Sequence, residues 1–291
     1  MSASRTLSRL SFAERLNFLV TNRLPRRWLT LATGRFSRIE NRWLARLSIA
    51  VWRLFADALR LFEARETRFA SLHACFVREL KDDARPVDPD PDILTSPCDA
   101  VVGEFGDVRD VEVIQAKGFP YDLPDLLGDA AAASTYRNAR FVTLRLKSSM
   151  YHHFHAPCEG HIDGIRYIAG DTWNVNPVAL KVVERLFCKN ERVVIPVRRE
   201  AAAPVTLVAV AAILVASLRL DGLDYPLDLR YRGPNDIDMG RSCAKGDHLG
   251  YFEHGSTIVL LAPKDLEFVD TLASGSVIRM GEPLMQSATR A

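Results

Sequence analysis

The chain has 291 residues, 48% of them apolar and 25% charged, with 38 Lys and Arg against 36 Asp and Glu for a net charge of +2. That composition excludes a disordered chain, a collagen-like repeat and a multispan membrane protein, and it leaves ample material for a core. Five scattered cysteines (Cys75, Cys98, Cys158, Cys188, Cys243), with no Cys-x-x-Cys pair, argue against a disulfide framework and for a reducing compartment.

The near-neutral total hides two unlike parts. Residues 1–60 hold twelve arginines, no lysine and three acids, an excess of nine positive charges that leaves the remainder at minus seven. Trp28, Trp43 and Trp52 also lie there. Leu16 to Val20 and Leu24 to Leu29 predict one or two short helices broken at Pro25. Arg42 to Phe62 predicts an amphipathic helix, with Leu44, Leu47, Val51, Leu54, Ala58 and Leu61 on one face. Arg42, Arg46, Arg53 and Arg60 cluster opposite, with Ile49 intruding and Trp43 and Trp52 on the flanks. A basic face packed on the protein's own core is one reading. Attachment to an anionic membrane surface explains Arg, Trp and amphipathicity together. A nucleic-acid arm fits less well, because bulky apolar residues interrupt the arginines. The Arg-rich, acid-poor composition also mimics a mitochondrial transit peptide. No apolar run near the N-terminus is long enough to span a bilayer or form a signal-peptide core.

Residues 63–80 are expected to continue helical. The polar, proline-punctuated stretch 81–92 then marks a boundary between a helical region, 1–80, and a β-rich region, 81–291. Strands are expected at Ala100–Val102, Val111–Ala116, Arg140–Leu146, Gly164–Tyr167, Arg192–Val197, Val205–Leu218 and Ser256–Leu261, and a short helix at Asp122–Leu127. The apolar run from Ala201 to Leu218 reads as a buried strand or strand pair, because Pro204, Thr206 and Ser217 interrupt it and Ala and Val dominate.

Three segments could carry chemistry. Asp99 follows the turn Ser96-Pro97-Cys98 and precedes an apolar strand, a position where Asp ordinarily satisfies turn N–H groups. His152, His153 and His155 fall within four positions. A zinc site with Cys158 is disfavoured because adjacent histidines point to opposite strand faces and no second ligand pair has a familiar spacing. General acid–base work suits histidine better. Gly255-Ser256-Thr257 precedes an apolar strand, which does not fit a nucleophile elbow.

Together these segments resemble the phosphatidylserine decarboxylase family. Phe76 to Leu80 with Arg85-Pro86-Val87 is similar to its lead-in, and Ser96-Pro97-Cys98-Asp99 to its Ser/Met-Pro-x-Asp segment. Gln115 to Gly118 with Leu126-Leu127-Gly128 resembles Val-Lys-Gly and Leu-Leu-Gly. Tyr151 to Pro157 resembles Tyr-His-Arg-x-His-x-Pro, Asn190 to Val193 also matches, and Lys245 through Thr257 resembles the Leu-Gly-Ser-Thr processing region. The likeness runs over roughly residues 15–275.

The resemblance implies an α+β fold, with N-terminal amphipathic helices on a β-rich catalytic body. It implies a carboxy-lyase that makes its own pyruvoyl cofactor from Ser256, with no metal. His155, oriented by Asp99, would activate Ser256 to attack the Gly255 carbonyl, giving a β chain (1–255) and an α chain (256–291). The pyruvoyl ketone would form a Schiff base with the amine of phosphatidylserine, and His152 would return a proton or position the carboxylate. The expected partners are an anionic phospholipid surface, the phosphatidylserine substrate and, as in bacterial relatives, a second copy of the chain, with no nucleic acid. The expected location is peripheral, on the cytoplasmic face of the cell membrane, or on the mitochondrial inner membrane in a eukaryote. A non-catalytic membrane-surface protein of the same fold and a pyruvoyl enzyme for another serine-containing amine are the alternatives. His254 stands where the family usually has leucine, His153 where it has arginine, and Ala100 where glycine is frequent.

Overall fold

The computed structural model describes residues 11, 14, 26–56, 59–114, 120–200, 202–212, 217–253 and 256–288. Helix α1 (Arg26–Ser37) is followed by α2 (Arg42–Phe55); the helix expected over Leu16–Val20 and the break expected at Pro25 lie outside the described residues. Asn41 starts α2 by accepting hydrogen bonds from the N–H groups of Trp43 and Leu44, at 3.0 and 3.1 Å.

Two helical expectations are corrected. Helix α2 ends at Phe55 rather than Phe62, and the described part of 59–80 holds a 3₁₀ turn at Leu61–Glu63 and only one α-helix, α3 (Leu72–Phe76). Tertiary pairing overrides the apolar periodicity here. Arg60 turns left-handed, with φ 45°, and the backbone on either side of Ala64 pairs with Leu80 and its neighbours. Arg65 N–H donates to the Glu79 carbonyl and Lys81 N–H to the Glu63 carbonyl, both at 2.9 Å.

Beyond residue 90 the strands are short and close together. They are β1 (Ile93–Thr95), β2 (Ala100–Asp107), β3 (Glu112–Ile114) and β4 (Pro120–Asp122), which leads into α4 (Leu123–Leu127) and α5 (Ala130–Thr135). Next come β5 (Arg140–Leu146), β6 (His153–His155), β7 (Gly160–Ile168), α6 (Pro177–Val182), α7 (Leu186–Lys189), β8 (Arg192–Val197) and β9 (Val205–Ala211). The last are β10 (Ser217–Leu220), β11 (Leu227–Asp228), β12 (Asp236–Cys243), β13 (His248–Phe252), β14 (Ser256–Ala262), β15 (Leu266–Phe268), β16 (Val277–Ile278) and β17 (Pro283–Ser287).

An eight-stranded antiparallel sheet runs in the order β12-β7-β8-β9-β14-β5-β2-β16, and β11-β10-β13-β6 form a second sheet. Along β14 successive side chains enter different cores. Ile258 and Leu260 pack with Phe154, Leu218 and Phe252 between the two sheets. Val259 and Leu261 pack with Leu126, Ala133, Leu180 and Phe187 under α4 to α7. Strand β9 is likewise buried on both faces, which explains why its sequence is apolar without alternation. The α+β class is the one expected.

Candidate active site

Strands β6 and β13 set the histidines. They pair antiparallel with His155 opposite His248 and His153 opposite Tyr251. Alternation puts His153 and His155 on one face, where they line a cavity of about 300 Å³ with Arg65, Arg85, Tyr151 and His248. His152 and Phe154 take the other face.

His155 is buried, and both its ring nitrogens have partners. Nδ1 stands 2.9 Å from the Gly246 carbonyl and Nε2 stands 3.1 Å from the Tyr151 hydroxyl. A carbonyl only accepts, so Nδ1 carries the hydrogen and the neutral ring presents a bare Nε2 to the Tyr151 O–H. Burial pulls this imidazole down to about 4, against the Gly246 hydrogen bond that favours the charged ring. Burial also pushes the Tyr151 phenol up, so it keeps its proton. Gly246 has φ 88°, and a Cβ there would come within 2.7 Å of Val87 Cγ2. Glycine is what lets that carbonyl reach the ring.

Asp99 sits at the mouth of β2 and is engaged elsewhere. Its two oxygens take Arg85 Nε at 2.8 Å and a terminal Arg85 nitrogen at 2.6 Å, and Met280 N–H donates to it at 3.0 Å. Arg85 also reaches Glu63 at 2.9 Å. No hydrogen bond joins Asp99 to His155 among the described residues; Asp99 acts on His155 through its charge, which favours the protonated ring. The Gly246 carbonyl fixes the His155 tautomer.

His152 is fully buried. Its Nδ1–H donates to the Met150 carbonyl at 2.9 Å, and its ring lies 4.1 Å from Phe76, which stacks on Trp52 of α2 at 5.7 Å. Its carbonyl accepts Phe252 N–H at 3.0 Å, tying it to the end of β13.

Ser256 opens β14, between Ala211 of β9 and Leu146 of β5. It is fully buried, and its Oγ has no hydrogen-bond partner among the described residues. By alternation it shares the face of Ile258 and Leu260, towards the core between the sheets. Gly255 and His254 lie outside the described residues. Strand β13 ends in the small sheet at Phe252, and β14 begins in the large sheet at Ser256.

Sequence reasoning gave no role to Arg85, Tyr151, Gly246, Asp221 or His248. Arg85, Tyr151, Gly246 and His248 lie inside the motifs quoted above, whereas Asp221 lies outside them all. Asp221 and His248 join the site through a chain of contacts: His248 Nδ1 lies 2.8 Å from Asp221 and its Nε2 2.8 Å from His153 Nδ1.

The chain matches the phosphatidylserine decarboxylase family over residues 72–286. It is 32% identical over 270 residues to the phosphatidylserine decarboxylase proenzyme of Aliivibrio fischeri, covering 89% of this chain and 93% of that one. The proenzymes of Klebsiella pneumoniae and Escherichia coli are each 33% identical, over 90% and 91% of this chain and 85% of theirs. Matched by the family model over residues 72–286 and by relatives at 32% and 33% identity over about nine-tenths of its length, the chain belongs to the phosphatidylserine decarboxylase family, a family of carboxy-lyases.

Proposed function

We propose that the chain is a self-processing enzyme that converts phosphatidylserine to phosphatidylethanolamine with a pyruvoyl group made from Ser256. The observation that carries this reading is the Ser256 hydroxyl, fully buried at the head of a central strand and bonded to nothing described. A buried hydroxyl without a partner is costly, and function is one of the few reasons to keep it. The closed surroundings and the orphaned oxygen fit a small covalent group at this position.

In processing, Ser256 Oγ adds to the Gly255 carbonyl carbon as its proton passes to a base. The Gly255–Ser256 C–N bond breaks and the acyl group moves to oxygen. Elimination across Cα–Cβ of Ser256 frees the Gly255 carboxylate, and water then displaces the nitrogen as ammonia, leaving the ketone. His155 is the proposed base, neutral and with its tautomer fixed by Gly246. Asp99 and Arg85 set the charge around it. The ketone supplies an electron sink for loss of carbon dioxide. His152, held by Met150 and Phe76, is proposed to return the proton to the substrate or to position its carboxylate.

The cut would leave β14 in the C-terminal fragment, still paired on one side with β9 and on the other with β5. The two fragments would therefore stay together as one folded body. Residues 1–80 are proposed as the membrane-associating region and 81–291 as the catalytic one. Among the described residues no helix is long and apolar enough to cross a membrane, while α2 exposes Trp43, Leu47, Val51, Leu54 and Phe55, which favours attachment in the interface plane.

Intact-mass analysis together with carbon dioxide release tests the proposal. Two fragments meeting at 255/256, and turnover of phosphatidylserine ahead of soluble serine-containing amines, are expected. A single uncut chain with a free Ser256, or Ser256→Ala protein that still cleaves, would overturn it.

A further inference from the structure

A second basic cavity lies away from the histidines, where α1 covers the edge of the small sheet. It encloses about 450 Å³ and is lined by Gly34, Arg35 and Arg38 from the helical segment and by Ser217, Arg230 and Glu253 from the body. It runs into a neighbouring cavity of about 660 Å³ that shares Arg38 and Arg230 and adds Arg232. Glu253 is consumed from within the protein: it pairs with Arg38, lies 3.6 Å from Arg219 and 3.8 Å from His73. Asp228 stands 3.9 Å from Arg230 Nε, a loose contact. Arg35 has no ion-pair partner among the described residues, so the cleft keeps an excess of positive charge.

Ser217 adds an independent sign of a ligand. It is 4% exposed, lines the same cavity, and its Oγ has no hydrogen-bond partner among the described residues. Its carbonyl accepts Glu253 N–H at 3.1 Å, three residues ahead of Ser256. Leu31, at the cavity rim, is 42% exposed. The cleft thus has apolar surface at its mouth, exposed guanidinium groups along its walls, an unused hydroxyl, and one end beside the segment that leads to the reacting serine. Those are the features a phosphodiester on an acyl-bearing glycerol would need.

We infer that the cleft between α1 and strands β10 and β11 holds the phosphodiester of a glycerophospholipid headgroup, with Arg35 and Arg230 meeting its charge and Ser217 donating a hydrogen bond. This rests on the reading of the chain as a phospholipid decarboxylase. It assigns substrate binding to groups that take no part in the bond-breaking steps.

The test uses the processed enzyme and the variants Arg35→Ala/Arg230→Ala and Ser217→Ala. Both should still yield two fragments. On phosphatidylserine in mixed micelles the double variant should raise KM about tenfold or more, as expected for lost charge-assisted hydrogen bonds, with kcat within about twofold. Ser217→Ala removes an unsatisfied buried hydroxyl, so it should raise KM without lowering the melting temperature. An unchanged KM in both variants overturns the inference. Line broadening of the ³¹P signal of glycerophosphoserine reports the site without any turnover. Broadening by the wild type and not by the double variant supports a headgroup site. Equal broadening of inorganic phosphate at the same concentration would mark a general anion site and overturn the assignment. A wild type that binds glycerophosphoserine yet releases no carbon dioxide would defeat the decarboxylase reading and leave the subsite standing.

Discussion

His153 Nδ1 and His248 Nε2 stand 2.8 Å apart, and the groups at the two ends of this contact fix how many protons the pair holds. His153 Nε2 lies 3.0 Å from the Val77 carbonyl, which only accepts, so that nitrogen carries a hydrogen. His248 Nδ1 lies 2.8 Å from Asp221, whose carboxylate also accepts. One more hydrogen must fill the contact between the rings. Two imidazoles therefore hold three protons, one more than two neutral rings carry, balanced by Asp221. His153 Nε2 already holds that ring's hydrogen, so the hydrogen in the contact belongs to His248 Nε2. Around it stand His155, edge-on to His248 at 5.2 Å, Tyr251, stacked on His153 at 4.9 Å, and Arg241, 3.6 Å from Asp221.

Two-bond ¹⁵N–¹H spectra of the folded protein should accordingly show His153 as the Nε2–H tautomer and His248 with hydrogen on both nitrogens. His248→Ala should cost about 1–3 kcal/mol of stability by stranding His153 Nδ1. A spectrum with His248 singly protonated and Asp221 ionised would refute the proton count.

Arg85 and Asp99 form a buried pair, with side chains 5% and 9% exposed. Removing one partner leaves an uncompensated charge, so Arg85→Met and Asp99→Asn are each expected to destabilise, the former by about 3–5 kcal/mol. The double variant should cost less than the two single losses together. Denaturant midpoints for the four proteins give the coupling, and strict additivity would show that the pair contributes no mutual energy.

How much of this was legible in the sequence depends on what positions each residue. Strand β8 has the expected bounds because a near-continuous apolar run suffices for a strand buried on both faces, and β5 keeps its bounds although Thr143 and Arg145 interrupt its apolar residues. The helix expected to reach Phe62 stops at Phe55 because the chain around Glu63 is captured by Arg60, Arg85 and Leu80, and periodicity carries no record of such partners. Trp52, expected on a flank of the apolar face, instead stacks on Phe76 of the body, and Ile49 is half-buried. The motif histidines could be found, but their hydrogen bonds could not. His153 and His248 are 95 positions apart, and no local pattern foretells that a glycine carbonyl rather than Asp99 sets the His155 tautomer.

Acid should unfold the protein earlier than its carboxylates alone would require. His73, His153 and His155 are all held below the ordinary histidine value, chiefly by burial, the last two near 3 and 4. A lowered folded value means the unfolded chain binds protons first. The stabilisation is therefore complete above about pH 6.5 and is lost as pH falls towards 4. Each histidine still neutral in the fold contributes a slope of about 1.4 kcal/mol per pH unit in that window. Stability measured from pH 7 to pH 4.5 should fall with a slope that His153→Gln and His155→Gln each reduce, and an unchanged slope in both would contradict the assignment.

Helix α2 carries an exposed apolar stripe. Trp43, Leu47 and Leu54 are 78%, 64% and 79% exposed along one side, while Ala45 is buried on the side that faces the body. Arg42, Arg46 and Arg53 are exposed between these faces, and Arg46 lies over the Trp43 ring at 5.7 Å. This arrangement suits an interface, with indole and leucine entering the acyl boundary and guanidinium groups at the phosphates. Replacing Trp43, Leu47 and Leu54 with serine should weaken binding to anionic vesicles about a hundredfold or more, since each large apolar side chain is worth about 1.5–3 kcal/mol when fully buried. Melting temperature should hold, because none of the three packs in the core. Wild-type tryptophan emission should shift to the blue on vesicles of phosphatidylglycerol and phosphatidylcholine, and raised salt should weaken the binding by screening the arginines. Vesicle binding that survives the triple substitution would move the attachment surface away from α2.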